Sequence, residues 1–494
     1  MALEYSRGHF HNAVNGFFPP LISWLMVPFI KLGMTPVFAF RALNLVTGLF
    51  ILIGAKALSY KFNIADGIRN ALLLALVPIL LYYSTYLFPD MLALCFLVYY
   101  TVIIFDNKYP DRVKNGLLCG VLGSLAYFSK NYAFPFFVAH FLMLNALFFL
   151  RCKTAIEKKN VFRNAVVGLV VFFMVSGVWV YLISSKYGSF TFGTAGDYMS
   201  KLLGPEVRAD YQFEDTQEDD PVYWAGLLKP SYETALSAWD DPSFMLNKFY
   251  PKTVKLTSDP KYLVQRMLKN TRIVIQTVFV KWFSFLSIPI IIAYILFCIQ
   301  PLDKLLQRGD IIYPLATVVL FSAGLTPFVV NIDNVRYFWF DNILLLLMGG
   351  QVLSVLIRNE FFSGLRMSIL IIFFVLSFIA GPLRNVIQKP ARGEDNYALF
   401  EKLKAYNVQG NIASDDKWSD ALQVAYHLKL DNDGTFFYGV PKKNQSGEAL
   451  LHELKSHNID YYLVYGESGL PGYKEITDGR IPGLKVFSMK EGEK

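Results

Sequence analysis

The sequence predicts an α-helical membrane protein that crosses the bilayer about ten times and ends in a small α/β domain. The composition is 54% apolar and 16% aromatic but only 17% charged, whereas soluble domains contain about 25% charged residues. Apolar runs of helical length recur as far as residue 387, and a mixed polar composition follows. The net charge of +8 does not indicate nucleic-acid binding, because most of the excess lies in short loops between apolar runs.

The apolar runs define the predicted membrane spans. Several are shorter than the ~20 residues that a straight helix needs to cross the hydrocarbon layer, and the runs at 91–105 and 116–129 are the weakest. The predicted spans are 36–57, 70–88, 91–105, 116–129, 133–150, 162–184, 283–300, 311–330, 337–357 and 367–387.

Lys and Arg concentrate in alternate loops, at 56–69, 106–114, 151–163 and 358–366, with fewer at 301–310. The intervening turns carry little charge. The positive-inside rule therefore places the basic loops in the cytoplasm and puts residues 1–35, 185–282 and 388–494 outside. It also places the first residue outside, so we expect a further helix before Met1.

These boundaries give five predicted regions: a first outer loop 1–35 that is N-terminally incomplete, spans within 36–184, a long outer loop 185–282, spans within 283–387, and an outer domain 388–494. Within the long loop, 262–281 has the pattern of an amphipathic helix on the membrane surface, with Arg266 and Asn270 on its polar side. In the tail, helix-like stretches 396–406, 418–428 and 447–457 alternate with strand-like stretches 411–413, 435–438 and 461–465, which predicts an α/β fold.

Three charged residues at predicted helix ends share the outer face: Asp90, Lys130 and Arg336. Charges at membrane depth cost at least ~2.5–3.5 kcal/mol each, so they call for an explanation. Lys130 and Arg336 together would suit a phosphate, and the nearby acid Asp90 would orient an acceptor or a base. The alternative is that each side chain simply reaches the headgroups. We expect Asp341 to pair with Arg336, one helical turn away.

Other chemical signals are weak. His140 lies on an apolar helix, where a hydrogen-bonded interior histidine is a better interpretation than a ligand. No CxxC or HExxH spacing is present, so neither a metal nor a cofactor is predicted. The run Trp239-Asp240-Asp241-Pro242 is either a carboxylate pair for a cation or acceptor, or a capping turn.

Several segments, in this order, resemble the GT-C class of polyprenyl-phosphate-sugar-dependent glycosyltransferases, which includes protein O-mannosyltransferases and aminoarabinose transferases. They are 8–29, with Asn12-Ala-Val-Asn-Gly-Phe-Phe-Pro-Pro-Leu-Ile-Ser-Trp-Leu at its centre, Phe88-Pro-Asp90, Gly120 to Lys130, Trp239-Asp240-Asp241-Pro242, and Val335-Arg336-Tyr337. The resemblance covers most of residues 1–386.

The resemblance implies a membrane glycosyltransferase that moves a sugar from a polyprenyl-phosphate donor to a lipid, glycan or protein acceptor outside the cytoplasm. Lys130 and Arg336 would contact the donor phosphate. The remaining residues implied to line the cavity are Asp90, Tyr337, Trp239, Asp240 and Asp241. The implied partners are the lipid-linked donor, membrane lipids and the acceptor, with no nucleic acid, and the implied location is the inner or plasma membrane.

The chain departs from this class at one important position. The class carries an Asp, often Asp-Glu, at the start of its first outer loop as the presumed base, and here that position would fall before Met1. Glu4 lies too close to Gly8 to match. We expect either that the chain starts late or that it is a catalytically inactive relative. A transporter or flippase of a lipid-linked sugar, which would bind the anionic headgroup with the same outer charges, is the alternative from another class. The spans show no two-fold repeat, which argues against transport.

Overall fold

Apolar helices form the first of two compact units, which comprises Met1–Ala209 and Val254–Lys389. The computed structural model describes residues 1–203, 225–243, 256–329, 332–359, 364–388, 394–442, 445–466 and 468–490. The acidic stretch of the sequence at 206–220 lies outside the described residues. The helices of this unit are Ala2–Arg7, Phe10–Ala13, Leu21–Lys31, Pro36–Ser59, Asp66–Ser84, Asp90–Ile104, Val113–Ser129, Ala133–Arg151, Ala155–Tyr187, Thr194–Leu202, Pro260–Ile273, Ser287–Phe297, Leu302–Gln307, Gly309–Leu325, Trp339–Arg358 and Gly364–Gln388.

Seven helices within the described ranges are long and apolar enough to cross a membrane. They are Pro36–Phe62, Asp66–Ser84, Ala133–Arg151, Ala155–Tyr187, Gly309–Phe328, Val335–Arg358 and Gly364–Ile387. A bent pair, Pro260–Phe283 and Ser287–Phe297 at 110°, makes an eighth if it counts as one span. The weak spans at 91–105 and 116–129 correspond to helices of 15 and 17 residues. The chain is a multi-pass membrane protein, and the figure of about ten spans stays a prediction.

The helix Trp339–Arg358 lies at the centre of this unit. In its most apolar window, which belongs to the span Val335–Arg358, 78% of the residues are buried, whereas 17% are buried in Gly364–Ile387. Leu344, Leu346 and Met348 have no exposed surface. A helix that is apolar on all sides is typical of the interior of a bundle.

The amphipathic segment predicted at 262–281 forms the helix Pro260–Ile273 and continues as a π-helix, Val274–Phe283. The expected outward polar face is only partly correct. Arg266 Nε donates to Pro327 O at 2.9 Å, and Asn270 Nδ2 donates to Thr326 O at 2.9 Å and to Val329 O at 3.2 Å. These carbonyls lie where the span Gly309–Phe328 ends, so they have no hydrogen-bond partner within a helix. Arg266 and Asn270 supply the missing hydrogen bonds.

Small residues allow two helices of the bundle to pack in close contact. A Cβ atom added to Gly116 or Gly120 of the helix Val113–Ser129 would meet backbone atoms of the helix Ala155–Tyr187, namely Asn164 O and Gly168 O. From the other side, a Cβ atom added to Gly168 would meet Gly116 O at 3.0 Å. Glycines spaced by four residues let two membrane helices touch backbone to backbone.

We predict that Gly120→Ala lowers the thermal stability of the detergent-solubilised chain, because the new methyl group would collide with a backbone oxygen that cannot move aside. Overpacking of this kind costs about 1–3 kcal/mol. Gly177→Ala is the matched control on the Ala155–Tyr187 helix, since a Cβ there meets nothing within 4 Å. It should be neutral or slightly stabilising. Equal unfolding temperatures for the two variants would contradict this packing.

The second unit comprises Asp210–Thr253 and Pro390–Lys494. Its sheet has four strands in the order β2-β1-β3-β4: β1 Asn411–Ser414, β2 Phe436–Phe437, β3 Tyr461–Val464 and β4 Lys485–Ser488. β1 is parallel to β2 and β3, and β4 is antiparallel to β3. The helices are Glu394–Lys404, Trp418–Asp431 and Gly447–Ser456. The predicted alternation of helices and strands is confirmed, and β4 was not predicted.

Part of the long loop belongs to this second unit. Phe437 N donates to Leu236 O at 2.8 Å, and Ser237 forms an isolated parallel bridge with Phe437. Leu236 joins the core on one face of the sheet, and Leu227 joins the core on the other. The structure thus places part of the predicted outer loop 185–282 in the same unit as the predicted outer domain 388–494.

Candidate functional site

Asp90, Lys130 and Arg336 meet at one end of the helical unit, although they lie far apart in the sequence. Lys130 Nζ is 3.3 Å from Asp90 Oδ2, and Arg336 Nε is 3.5 Å from the same oxygen. The side chain of Asp90 is 1% exposed, and those of Lys130 and Arg336 are 16% and 11% exposed. Side chains that merely reached the headgroups would be far more exposed. We call these three residues the ion cluster.

Helix ends position the cluster. Asp90 is the first residue of the helix Asp90–Ile104, where the helix dipole favours an acid. Lys130 follows the helix Val113–Ser129 with an extended backbone and donates its N–H to Ala126 O at 2.9 Å. A cation is favoured at that end. Arg336 lies in a 3₁₀ turn, Ile332–Phe338, that leads into the buried central helix.

Aromatic rings surround the two cations. Arg336 Cζ lies 3.8 Å from the centroid of the Phe88 ring and 5.0 Å from that of Tyr337. Lys130 Nζ lies 5.2 Å from the Tyr337 ring, which makes an edge contact with Tyr132. Cation–π contacts such as these hold a cation in apolar surroundings. Tyr337 therefore lies beside both cations, and its predicted cavity-lining role stays a prediction. Phe88 and Tyr132 were missed, although each lies two positions from a predicted charge.

The cluster carries one acid against two bases, so its formal charge is positive. Asp90 Oδ1 is buried and accepts no hydrogen bond from any residue of the described ranges. The arrangement therefore offers two chemical capacities. Lys130 and Arg336 can bind an anion, with Arg presenting a planar fork to phosphate. The unused oxygen of Asp90 can accept a hydrogen bond from a ligand hydroxyl.

The N-terminal segment is tied to the position next to Lys130. Asn131 Nδ2 donates to Gly16 O at 2.8 Å, and Thr194 N donates to the same carbonyl at 2.8 Å. Gly193 lies so close to Asn131 that a Cβ there would meet Asn131 Cγ at 2.6 Å. The Asn12–Leu25 motif is thus held beside the ion cluster. Glu4, the nearest carboxylate of that segment, lies 3.2 Å from His9 Nδ1.

The expectation for Asp341 is wrong. Arg336 pairs with Asp90 instead, and Asp341 accepts a hydrogen bond from Ser322 Oγ at 2.7 Å. Asp341 has no exposed surface and, within the described ranges, no ion pair. The sequence favoured Asp341 because it lies one helical turn from Arg336. In the folded chain, however, the carboxylate of Asp90, from another helix, lies 3.5 Å from Arg336 Nε.

His140 is a hydrogen-bonded interior histidine, as expected. Its Nε2 lies 2.7 Å from Thr317 Oγ1, and its Nδ1 lies 2.9 Å from the hydroxyl of Tyr100. The Thr317 hydroxyl donates its proton to Tyr313 O, so it must accept from His140 Nε2. The Nδ1 atom is then the acceptor for Tyr100. Both ring nitrogens are occupied, which leaves His140 no role as a ligand.

Trp239, Asp240 and Asp241 lie in the second unit. Asp240 caps a short 3₁₀ turn, Ala238–Asp240, where its carboxylate accepts the N–H groups of Leu236 at 3.0 Å and Ser237 at 3.3 Å. Burial raises the pKa of Asp240, and these hydrogen bonds oppose that rise. The geometry of Asp240 matches the capping alternative. A cavity-lining role for the three residues stays a prediction.

Described residues of the helical unit form a narrow cavity and a wider cleft. A narrow one of about 10 Å³ borders Arg336 and is walled by aromatic rings, including those of Tyr82, Tyr83 and Trp339. It has room for about one water, so a sugar entering there must displace the rings. A cleft of about 820 Å³ lies between the N-terminal segment and the Ala155–Tyr187 helix, lined by Trp24, Trp179 and others. No member of the ion cluster lines this cleft.

Solved structures with similar folds identify the architecture. An oligosaccharyltransferase from Archaeoglobus fulgidus, solved with zinc and sulfate, matches 90% of this chain with a TM-score of 0.52 and 11% sequence identity. The same enzyme tethered to an acceptor peptide matches 90% with a TM-score of 0.51 and 11% identity. This chain has the fold of that archaeal enzyme. It spans 59–60% of the enzyme's length.

A weaker similarity links the chain to ArnT from Cupriavidus metallidurans in the apo state, with a TM-score of 0.44, 12% identity, and coverage of 97% of this chain and 88% of ArnT. No protein-family model and no curated protein sequence matches. The predicted fold class is confirmed: the chain is a helical membrane protein with a small C-terminal α/β domain, and it shares its fold with the archaeal enzyme.

We predict that Asp90→Asn destabilises the solubilised chain by about 3–5 kcal/mol, because it leaves two sheltered cations without their shared counter-charge. The measurement is thermal or urea unfolding. Asp303→Asn is the matched control, since Asp303 is exposed. If the two variants lose the same stability, then Asp90 does not hold the cluster together.

Proposed function

We propose that the chain is a membrane glycosyltransferase that moves a sugar from a polyprenyl-phosphate donor to an acceptor, with the donor phosphate bound at the ion cluster. The observation that carries this proposal is the convergence of Lys130 and Arg336 on the buried Asp90, at 3.3 and 3.5 Å. A cluster with one acid and two bases favours an anionic ligand, and its shelter from water strengthens that attraction. The shared fold with an oligosaccharyltransferase supports the same reaction class.

The proposed reaction is a displacement at the anomeric carbon of the donor sugar. The bond from that carbon to the phosphate oxygen breaks, and a bond to the acceptor oxygen or nitrogen forms. Negative charge grows on the leaving phosphate, so Lys130 and Arg336 bind the transition state more strongly than the ground state. Asp90 would accept a hydrogen bond from a hydroxyl of the donor or acceptor through its unused oxygen.

The acceptor must lose a proton to a base. The N-terminal segment passes beside the ion cluster, because Asn131, next to Lys130, donates to Gly16 O at 2.8 Å. A base carried on that segment would approach the same place as the donor phosphate.

We also propose that the ion cluster and the second unit face the non-cytoplasmic side, as the distribution of basic loops indicates. In that arrangement the donor and the acceptor meet outside the cytoplasm. The acceptor is a lipid, a glycan or a protein, and Trp239, Asp240 and Asp241 are candidates to line the route of the acceptor.

Lys130→Ala and Arg336→Ala should each weaken binding of undecaprenyl phosphate to the nanodisc-embedded chain by about 10- to 100-fold, because each removes one charge-assisted contact worth roughly 1.5–3 kcal/mol. Native mass spectrometry or competition with a fluorescent lipid gives the affinity. Lys304→Ala, which removes an exposed lysine outside the cluster, should bind as the parent does. Unchanged affinity in both cluster variants would exclude a phosphate site here.

In membranes supplied with radiolabelled polyprenyl-phosphate sugars, the same two variants should lower the rate of sugar transfer by about 10²–10³-fold while membrane insertion stays intact. The readout is label that becomes covalently bound to an acceptor. A transporter would instead move labelled donor across sealed vesicles with no new covalent product. That result would replace the transfer proposal with the transport alternative.

A further inference from the structure

The parallel strands of the second unit end at a topological switch point. From β1, the chain passes through the helix Trp418–Asp431 to β2 on one side, and from β2 through the helix Gly447–Ser456 to β3 on the other side of β1. The first helix packs with Ile412 and Leu463, and the second packs with Ala413 and Val464, so the two helices cover opposite faces. In open α/β sheets, ligands bind beyond the carboxyl ends of the strands at such a point.

Unpartnered polar atoms gather at this edge. Ser414, the last residue of β1, has no exposed surface, and its Oγ has no hydrogen-bond partner within the described ranges. Asp416 Oδ1 and the hydroxyl oxygen of Tyr465 are also buried and also have no hydrogen-bond partner within the described ranges. Asp416 follows β1, and Tyr465 follows β3. A buried polar atom left without a partner costs about 1–3 kcal/mol. Three such atoms around one strand pair indicate a place that a ligand completes.

The register puts two of these atoms on the same face of the sheet. Ser414 pairs with Leu463, so Tyr465 lies two residues beyond on the adjacent strand. Side chains two residues apart on a strand lie on the same face of the sheet. Ser414 therefore shares a face with Ile412, and Tyr465 shares a face with Leu463. Ile412 and Leu463 belong to one core. The β1 and β3 ends are also fastened together, because Asp415 Oδ1 accepts the N–H of Tyr465 at 2.8 Å. The edge is therefore preorganised.

The chemistry of the edge selects a neutral ligand. Three carboxylates, those of Asp415, Asp416 and Asp420, stand near one cation, Lys417, whose Nζ lies 5.4 Å from the Tyr465 ring. Anions would be repelled. Among the described residues no His, Cys, Asp and Glu side chains are grouped to hold a metal. Burial and the charges of Asp420 and Asp415 raise the pKa of Tyr465, so its hydroxyl keeps its proton and needs an acceptor.

We propose that this edge of the second unit, formed by Ser414, Asp416 and Tyr465, binds the hydroxyl groups of a carbohydrate. Sugar hydroxyls both donate and accept hydrogen bonds, so one sugar can satisfy Asp416 Oδ1 as a donor and the Tyr465 hydroxyl as an acceptor. The Tyr465 ring offers an apolar wall to the face of the pyranose. This binding role goes beyond the proposed transfer reaction, and neither depends on the other.

The test uses the full chain in lipid nanodiscs and saturation-transfer NMR with methyl glycosides of mannose, glucose, galactose and N-acetylglucosamine. At least one glycoside should bind, and Ser414→Ala and Tyr465→Phe should each weaken it by about 2- to 10-fold, the value of one net hydrogen bond. Tyr461→Phe, at the amino end of β3, is the matched control and should bind as the parent does. Binding of undecaprenyl phosphate should be unchanged in all three variants.

Thermal unfolding separates this role from a structural one. Because the Ser414 and Tyr465 hydroxyls have no partner within the described ranges, removing them should leave the unfolding temperature unchanged or raise it. The proposal is overturned if no glycoside binds, if binding survives both substitutions, or if Tyr461→Phe weakens it equally. A fall in the unfolding temperature with both substitutions would also overturn it, since the hydroxyls would then be internal structural groups.

Discussion

The helical unit depends on one carboxylate that is almost completely removed from water. Asp90 is 1% exposed, and a charge in that position is tolerated only with close counter-charges, which Lys130 and Arg336 supply. Each of the three comes from a different helix end. The electrostatic requirement of one side chain therefore fixes the relative placement of three chain segments, and the second cation leaves the site with a surplus positive charge for a ligand.

The central helix holds this arrangement in place at both ends. Arg336 lies in the turn that precedes it, and near its other end Gln351 Nε2 donates to Asp310 Oδ2 at 2.8 Å. Arg308 also binds that carboxylate, through two contacts of 3.0 Å. A buried helix fastened at both ends has little freedom to translate along its axis. Precise placement of a charged group is what electrostatic stabilisation of a transition state needs.

Sequence patterns predicted the structural features that depend on residues close together in the chain. Hydropathy and loop charge gave the helical membrane class, and alternating stretches gave the α/β tail, because both signals repeat within a few residues. Charges at helix ends revealed the cluster. Pairings across the fold were not predictable: Asp341 bonds Ser322 rather than Arg336, and Asn270 serves a turn more than fifty residues away. The packing of Leu236 on the sheet also produces no periodic pattern in the sequence.

The second unit joins chain segments that leave the ribosome at different times. The strand residue that bonds Leu236, Phe437, is made roughly 200 residues later. At about 5–20 residues per second, the apolar side chains near Leu236 wait some tens of seconds for their sheet. During that interval the membrane helices between Leu236 and Phe437 must insert, while the apolar side chains near Leu236 stay uncovered. The core around Leu236 can therefore be completed only after the last membrane helix of the chain has been made.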